Sequence, residues 1–430
     1  MKFKILTLGC KVNQAESSGL AAALRGMQMT EADRPEDAGL LIVNSCAVTA
    51  ESVRKTGQLL RSLRRKNPHA RLVLTGCWPQ AFPEDDFSAA DFVTGTKNRE
   101  AILEWIAGVP ESGLCISGYG SRDAFSPLPC ADTTRTRAFL KIQDGCNQFC
   151  SYCIIPYARG RCRSMPPERF RSEIRTLAEQ GFREIVLTGI NLCFYGTDTG
   201  QTLADAVDLC AAEPGFIRIR LGSLEPERMD SALLRHLAEC EKFCPQFHLS
   251  LQSGSDAVLK RMNRHYDTAQ YRALAAEIHG LFPDAALTTD VIVGFPGETE
   301  EDFEASCRFV QEIGFAKVHV FPYSQREGTR AAAFPDQIPQ AVRAQRSARL
   351  TAIANEIRRK HLAGMTGQTA EVLVEGEKQQ NAQRFYQGHT PNGTLVKIFP
   401  ENDEKGLQNS LICVTIEVYE DDCVIGRPQG

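Results

Sequence analysis

The 430-residue sequence lacks several things. No stretch reaches the ~18 consecutive apolar residues that a membrane-crossing helix needs, so no membrane is expected among its partners. The start, MKFKILTLGC, has neither a long apolar core nor a small-residue cleavage site. A cytoplasmic location is therefore expected. Neither sign of charge dominates: 49 Lys and Arg stand against 53 Asp and Glu, a net charge of −4 that does not advertise a nucleic-acid binder. There is no low-complexity tract and no internal repeat beyond alternating β and α segments. With 43% hydrophobic and 24% charged residues the balance is that of a globular protein. At roughly 100–200 residues per domain, the length suggests two to four domains.

What is present is cysteine, 16 residues in a chain without signs of secretion. A disulfide framework is unexpected there, so metal binding, redox chemistry or burial must account for them.

The fold class expected is α/β. Apolar segments at 2–8, 40–44, 71–75 and 91–94 alternate with helical patterns at 14–27, 49–66 and 98–107. That alternation predicts a parallel sheet flanked by helices. A Gly/Ser/Pro-rich stretch at 108–134 reads as a linker with one short hairpin. From 138 the alternation restarts with six strand candidates: 138–143, 184–188, 217–221, 247–251, 287–293 and 317–321. Six units over ~190 residues are short of the ~250 of a full barrel, which points to a partial, open (βα)6 barrel. An Arg-rich helix at 339–363 follows. Short β-branched runs after 364 predict a small β-barrel. The domains expected are 1–130, 131–363 and 364–430.

The sharpest signal is Cys146-Asn-Gln-Phe-Cys150-Ser-Tyr-Cys153. Structural zinc wants four protein ligands, and no fourth Cys or His lies in this loop. Three thiolates suit a [4Fe–4S] cluster with one iron left open. The loop follows a barrel strand, at the end where such folds do chemistry. A second set, Cys10, Cys46 and Cys77, occurs in TLGC, VNSC and LTGC. Each lies just past the C-terminal end of a strand, and in an open parallel sheet those ends converge. Three buried cysteines are the plainer alternative. The other ten cysteines show no such register, and Cys115, Cys130 and Cys423 are given no role.

The Cys146/Cys150/Cys153 array on a partial barrel resembles the radical S-adenosylmethionine (SAM) superfamily. With the N-terminal cysteines, the sequence is similar to the methylthiotransferases in TLGCKVNQAES, NSCAVT, LTGC, KIQDGCNQFCSYCIIPYARGR, LQSGSD, KRMNR and DVIVGFPGETEEDF. The segment from about 366 resembles the RNA-binding TRAM module. GCKVNQ and RLGSLEP look most like the MtaB subfamily, which methylthiolates C2 of N6-threonylcarbamoyladenosine beside the anticodon of transfer RNA. The isopentenyladenosine subfamily usually carries Gln-Met-Asn, and the ribosomal-protein aspartate subfamily Pro-Lys-Asn, where this chain has Lys11-Val12-Asn13. Ala15, Trp78, Cys162 and Met165 depart from the family's pattern.

The resemblance implies two [4Fe–4S] clusters. The one at Cys146, Cys150 and Cys153 would bind SAM as radical source. The one at Cys10, Cys46 and Cys77 would carry the sulfur, with a second SAM as methyl donor. It implies three partners: the tRNA anticodon arm, a flavodoxin- or ferredoxin-like electron donor and a sulfur donor. Positions at barrel strand ends are candidate SAM contacts: Thr188, Gly189, Asn191, Gln252, Ser253, Val293 and Gly294. Ordinary turn chemistry is the alternative there. Arg159 is a candidate for the SAM carboxylate or RNA phosphate. Arg161, Arg343 and Arg346 are candidates for RNA, and Phe385 and Tyr386 for stacking on bases. The last domain has five basic and ten acidic side chains, the reverse of an RNA-binding footprint. A reading from another class, a two-cluster electron carrier, leaves the barrel and the β module without a purpose.

Overall fold

The computed structural model describes residues 1–108, 113–120, 123–126, 128, 136–380, 383–399 and 406–429. β1 (Lys2–Thr7), β2 (Thr30–Glu31), β3 (Leu40–Ser45), β4 (Arg71–Gly76), β5 (Phe92–Thr94) and β6 (Leu114–Cys115) form one sheet in the order β2-β1-β3-β4-β5-β6. Every pairing is parallel. β3 is buried along its whole length, as a strand covered on both faces must be. Side chains alternate between the two faces. Phe3, Leu40, Ile42 and Val73 pack with Leu20 and Leu24 of helix α1 (Lys11–Gly26). Leu41, Val43, Leu72 and Leu74 pack with Leu60 and Leu63 of the helix Ala50–Lys66 on the other.

The 108–134 stretch departs from expectation. Its Leu114–Cys115 segment pairs in parallel with β5 as a sixth strand, where a hairpin was expected. The carbonyl of Gly113 and Thr94–Cys115 register extend the sheet because the β5 edge offered unpaired backbone groups. The expected domain boundary at 130/131 and Cys130 lie outside the described residues.

The second unit is built from β7 (Arg137–Lys141), β8 (Gln143–Asp144), β9 (Arg163–Ser164), β10 (Glu184–Thr188), β11 (Arg218–Leu221), β12 (Ser223–Leu224), β13 (Gln246–Leu249), β14 (Ala286–Val293) and β15 (Lys317–Pro322). β11-β10-β7 and β12-β13-β14-β15 are two parallel sheets, and the chain passes from one to the other at Gly222. Together they make six staves, and among the described residues β7 does not pair with β15. The open barrel is therefore the observed architecture. Ala138, Leu140, Ile185, Leu187, Ile219, Leu221, Phe247 and Leu249 pack outward on the surrounding helices. The residues alternating with them, Lys141, Glu184 and Arg220 included, turn inward.

β16 (Thr369–Gln380), β17 (Gln383–His389), β18 (Leu395–Ile398), β19 (Leu411–Glu420) and β20 (Cys423–Pro428) close into a barrel in the order β16-β17-β18-β20-β19. It docks on the N-terminal ends of the open-barrel strands. Arg218 donates to Glu371 Oε1 at 2.9 Å and to the His389 carbonyl at 2.8 Å. Arg220 reaches the Pro391 carbonyl at 2.9 Å, and Arg137 pairs with Glu375 at 2.9 Å. Among the described residues no helix is long and apolar enough to cross a membrane.

Candidate active site

The strands β8 and β9 pair antiparallel, so residues 145–162 form one closed excursion from the barrel rim. Gly145 starts it at φ +70, where an added Cβ would stand 2.0 Å from the Arg161 carbonyl oxygen. Only glycine accepts both the conformation and the space. The Cys146 amide donates to the Gly160 carbonyl at 3.1 Å. The loop is anchored from the opposite stave: the Ser151 amide donates to Met262 O at 2.9 Å and its hydroxyl to Arg261 O at 2.8 Å.

Donors are aimed at the loop's sulfurs. The Gln148 amide lies 3.4 Å from Cys146 Sγ, and Arg264 Nη1 lies 3.2 Å from Cys150 Sγ. Asn191 Nδ2 is 3.9 Å from Cys146 Sγ, while its buried Oδ1 has no partner. Burial pushes all three thiols up, Cys146 to about 11. A bare thiolate is costly there, whereas a bound metal deprotonates a coordinating thiol outright. Buried sulfurs ringed by N–H donors, beside an unsatisfied amide oxygen, fit a thiolate-held cluster and its ligand.

The N-terminal triad is set by the sheet. β1, β3 and β4 are adjacent and parallel, so their C-terminal ends lie side by side. Cys10 is the N-cap of α1, Cys46 follows β3, and Cys77 opens the helix Cys77–Ala81 after β4. Gly9 at φ +113 presses on Cys46: an added Cβ would lie 2.9 Å from its Cβ and 3.3 Å from its Sγ. Asn13 Nδ2 ties the loops together, donating to Leu8 O at 2.9 Å and Ser45 O at 3.0 Å. Burial raises the Cys77 thiol to about 12, and the neighbouring Cys46 and Cys10 push it further the same way. Among the described residues no three Cys, His, Asp or Glu side chains converge on a single metal ion. A cubic cluster does not require it, since its thiolates occupy separate corners.

Between the triads lies a buried ionic group that the sequence did not announce. Arg159, 0% exposed, donates Nη1 to Glu16 Oε1 at 2.8 Å and Nη2 to Glu16 Oε2 at 3.0 Å. It also meets Asp144 at 3.0 Å and Asn13 Oδ1 at 2.7 Å. Lys141 Nζ joins at 2.8 Å from Glu16, and Arg99 at 2.8 Å. The expectation that Arg159 meets a SAM carboxylate or RNA phosphate is thus corrected. Its guanidinium is enclosed and spent on two protein carboxylates.

A cavity of ≈ 210 Å³ opens between the two units. It is lined by Cys153 and Tyr152 of the loop, Gln252, Asp290 and Ile292 of the barrel, and Val48 and Thr49 just after Cys46. Of the expected SAM positions, Gln252 lines it, and Asn191 faces Cys146. Gly189 lies against Gln143, where a Cβ would be 2.7 Å from Oε1. Thr188 is buried, its carbonyl accepting from the Ile142 amide at 2.9 Å. Ser253 turns away: it is fully buried with its Oγ 3.3 Å from Ser306 Oγ. Val293 is a core residue, and Gly294 at φ +70 gives its amide to Glu298 and its bare face to Arg343.

The expected RNA residues are mostly engaged elsewhere. Arg343 donates to the Tyr323 carbonyl. Arg346 is buried, 2.7 Å from Glu298 and 3.0 Å from Glu300. Tyr386, 2% exposed, packs inside the C-terminal barrel, while Phe385, 6% exposed, lies on the opposite face of β17 against Phe399, so neither has a free face for a base. Arg161 stays exposed, 5.5 Å from the ring centroid of exposed Phe149. Glu16, Lys141, Arg264 and Asp290 were missed. Glu16 left one faint signal, a carboxylate in helical register with Val12, Leu20 and Leu24 on the inner face of α1.

The sequence pattern described as Radical SAM superfamily matches residues 140–310, and that described as Uncharacterized protein family UPF0004 matches residues 2–95. The barrel unit and its cysteine loop are thus those of a radical SAM protein. A Chlamydia pneumoniae protein named threonylcarbamoyladenosine tRNA methylthiotransferase MtaB is 38% identical over 427 residues, 99% of this chain and 97% of that one. A Clostridium botulinum (strain Loch Maree / Type A3) protein named tRNA-2-methylthio-N(6)-dimethylallyladenosine synthase is 36% identical over 417 residues, 94% of this chain and 92% of that one. The chain belongs to the radical SAM methylthiotransferase family. Among solved structures, the radical SAM methyltransferase TsrM of Kitasatospora setae shares the fold, with a TM-score of 0.53 at 13% identity over 74% of this chain and 72% of that one.

Proposed function

We propose that this chain methylthiolates C2 of N6-threonylcarbamoyladenosine beside the anticodon of transfer RNA, giving the 2-methylthio derivative. The observation that supports it most directly is the cavity that Cys153 and the segment after Cys46 share. A base held there faces both cysteine sets at once. The full-length similarity to the Chlamydia pneumoniae protein supports the substrate. In this reading Cys146, Cys150 and Cys153 hold the SAM-binding cluster, and Cys10, Cys46 and Cys77 hold a second. Bound there, reduced cluster and SAM supply the radical chemistry that an unreactive aromatic C–H bond requires, which acid–base groups cannot supply at neutral pH.

The chain's own side chains do the rest. Asn191 and the Gln148 amide donate toward Cys146, Arg264 donates toward Cys150, and each favours sulfur in its charged form. Gln252, held at φ +65 between Asp290 and Ile292, presents its side chain to the cavity. Tyr152 and Ile292 exclude water from one wall. The domains are read as 1–130, 131–363 and 364–430, with cytoplasmic electron and sulfur donors as partners.

Mass spectrometry of transfer RNA nucleosides from a strain lacking this gene tests the reading. Loss of 2-methylthio-N6-threonylcarbamoyladenosine, restored by the wild-type gene, is expected. Loss of the dimethylallyl derivative instead would move the assignment to the other type of relative.

A further inference from the structure

The outer side of the Cys146–Cys153 loop has no part in the site described above. Phe149, directly before Cys150, is 37% exposed, and Tyr157, shortly after Cys153, is 49% exposed. Their rings meet edge to face, with centroids 6.4 Å apart. The Arg161 guanidinium lies 5.5 Å from the Phe149 centroid. The loop turns its other side to the cavity, through Tyr152, Cys153, Ile154 and Ile155. A base held in the cavity therefore leaves the face formed by Phe149, Tyr157 and Arg161 open.

Displaying Phe149 there costs backbone strain. Its φ is +49, a region that a bulky side chain rarely adopts. Asn263, itself at φ +60, fixes the turn by donating Nδ2 to the Phe149 carbonyl at 3.2 Å and the Gln148 carbonyl at 3.3 Å. An exposed ring gains little from burial in return, and strained residues of this kind gather where something binds. The surroundings are basic. Glu227 accepts from Gln148, Arg261 O from the Ser151 hydroxyl at 2.8 Å, and Ser151 O from the Ala331 amide at 2.8 Å. Each of these three anchors has a cation next to it in the chain: Arg228, Lys260 and Arg330. Those three and Arg161 are exposed, and among the described residues none has a carboxylate partner.

We propose that this face docks a small acidic flavin-carrying protein that delivers the electron needed at the adjoining cysteines. This rests on the reading that Cys146, Cys150 and Cys153 hold the SAM-binding cluster. Phe149 and Cys150 share a peptide bond, so a carrier on this face stands beside a cluster ligand, and electron transfer falls steeply with distance. The exposed edge of a protein-bound flavin is flat, apolar and aromatic, and it suits two exposed rings. Unpaired cations around them steer an acidic partner into place. A face of this size fits the weak, short-lived contact of redox partners. One electron leaves the reduced flavin and enters the oxidised cluster, and no bond in this chain forms or breaks.

The test uses the full-length, cluster-loaded protein with a recombinant flavodoxin, and a ferredoxin as the second arm. Dissociation constants are read by calorimetry at low and high salt, and cluster reduction by stopped-flow absorbance, with iron content as a check. The wild type is expected to bind flavodoxin, and more weakly at high salt. Phe149→Gly and Tyr157→Ala should each weaken binding about tenfold or more and slow reduction by flavodoxin. Reduction by dithionite and affinity for an anticodon stem-loop RNA should stay at the wild-type level. Arg161→Glu combined with Lys260→Glu should weaken flavodoxin binding at low salt and flatten its salt dependence. Phe149→Gly should keep or raise the urea midpoint, since glycine accepts the positive φ. Tyr157→Ala, outside the three cysteines, decides the matter if Phe149→Gly loses iron. Unchanged flavodoxin binding in Tyr157→Ala and in the charge-reversed variant overturns the proposal. So does a wild type that binds ferredoxin and not flavodoxin, or an RNA affinity that falls in place of flavodoxin affinity. Turnover with dithionite separates the two levels. A wild type that methylthiolates threonylcarbamoyladenosine RNA while the face fails these tests leaves the function standing. A wild type that modifies no RNA, with flavodoxin binding lost in the variants as expected, refutes the function and leaves the docking face standing.

Discussion

Arg159 and Glu16 join the two halves of the site through a two-point ion pair, 2.8 and 3.0 Å long, that is wholly enclosed by protein. Arg159 follows the Cys146–Cys153 loop, and Glu16 lies on the helix that Cys10 caps. One contact thus ties the position of one cysteine set to the other.

Glu16→Gln leaves Arg159, Arg99 and Lys141 short of a buried counter-charge. A loss of about 3–5 kcal/mol in unfolding free energy is expected, measured by urea denaturation. A loss under about 1 kcal/mol would show that the group is solvated in solution.

The same carboxyl gives a pH dependence. Burial pushes its pKa up, but Arg159, Arg99 and Lys141 outweigh burial and hold it well below the usual carboxylate range. A lowered native pKa contributes stability that is present above the unfolded value of about 4.3 and is lost as pH falls toward the native one. The urea midpoint of the wild type should therefore fall below about pH 5. The difference between wild type and Glu16→Gln should narrow over the same interval.

The two cysteine sets should be separable. Cys10→Ala, Cys46→Ala and Cys77→Ala together should remove about four irons per chain while 5′-deoxyadenosine still forms from SAM. The triple change at Cys146, Cys150 and Cys153 should abolish that product. Unchanged iron in the first variant would refute the two-cluster reading.

Arg264 bonds Cys150 Sγ at 3.2 Å and also pairs with the buried Glu225. Arg264→Met removes a donor to sulfur and leaves a bare carboxylate nearby. Both changes disfavour an added electron, so the cluster's reduction potential should become more negative. Redox titration followed by electron paramagnetic resonance would read it, and an unchanged potential would place Arg264 outside the cluster's environment.

Tyr386 is an internal residue of the C-terminal barrel. Tyr386→Ala should cost about 3–5 kcal/mol of stability. If the variant instead keeps its stability and loses RNA affinity, the side chain is a binding residue after all.

The local determinants of this protein were legible in the sequence. The Cys146/Cys150/Cys153 spacing lies within one loop, and the strand ends at Cys10, Cys46 and Cys77 follow from short apolar runs that alternate with helical patterns. The strands Glu184–Thr188, Ala286–Val293 and Lys317–Pro322 fall on the segments expected at 184–188, 287–293 and 317–321. The fates of the arginines and aromatics were not legible, because a charge is read in sequence without its partner. Arg346 meets Glu298 across 48 positions, and Arg159 meets Glu16 across 143. Tyr386 looked available only until a closed barrel put it inside. Sequence determined the cysteine sets and the layers that carry them, since both depend on near neighbours along the chain. Only the tertiary structure decided which cations were consumed in buried pairs, since charge pairing depends on distances that no spacing encodes.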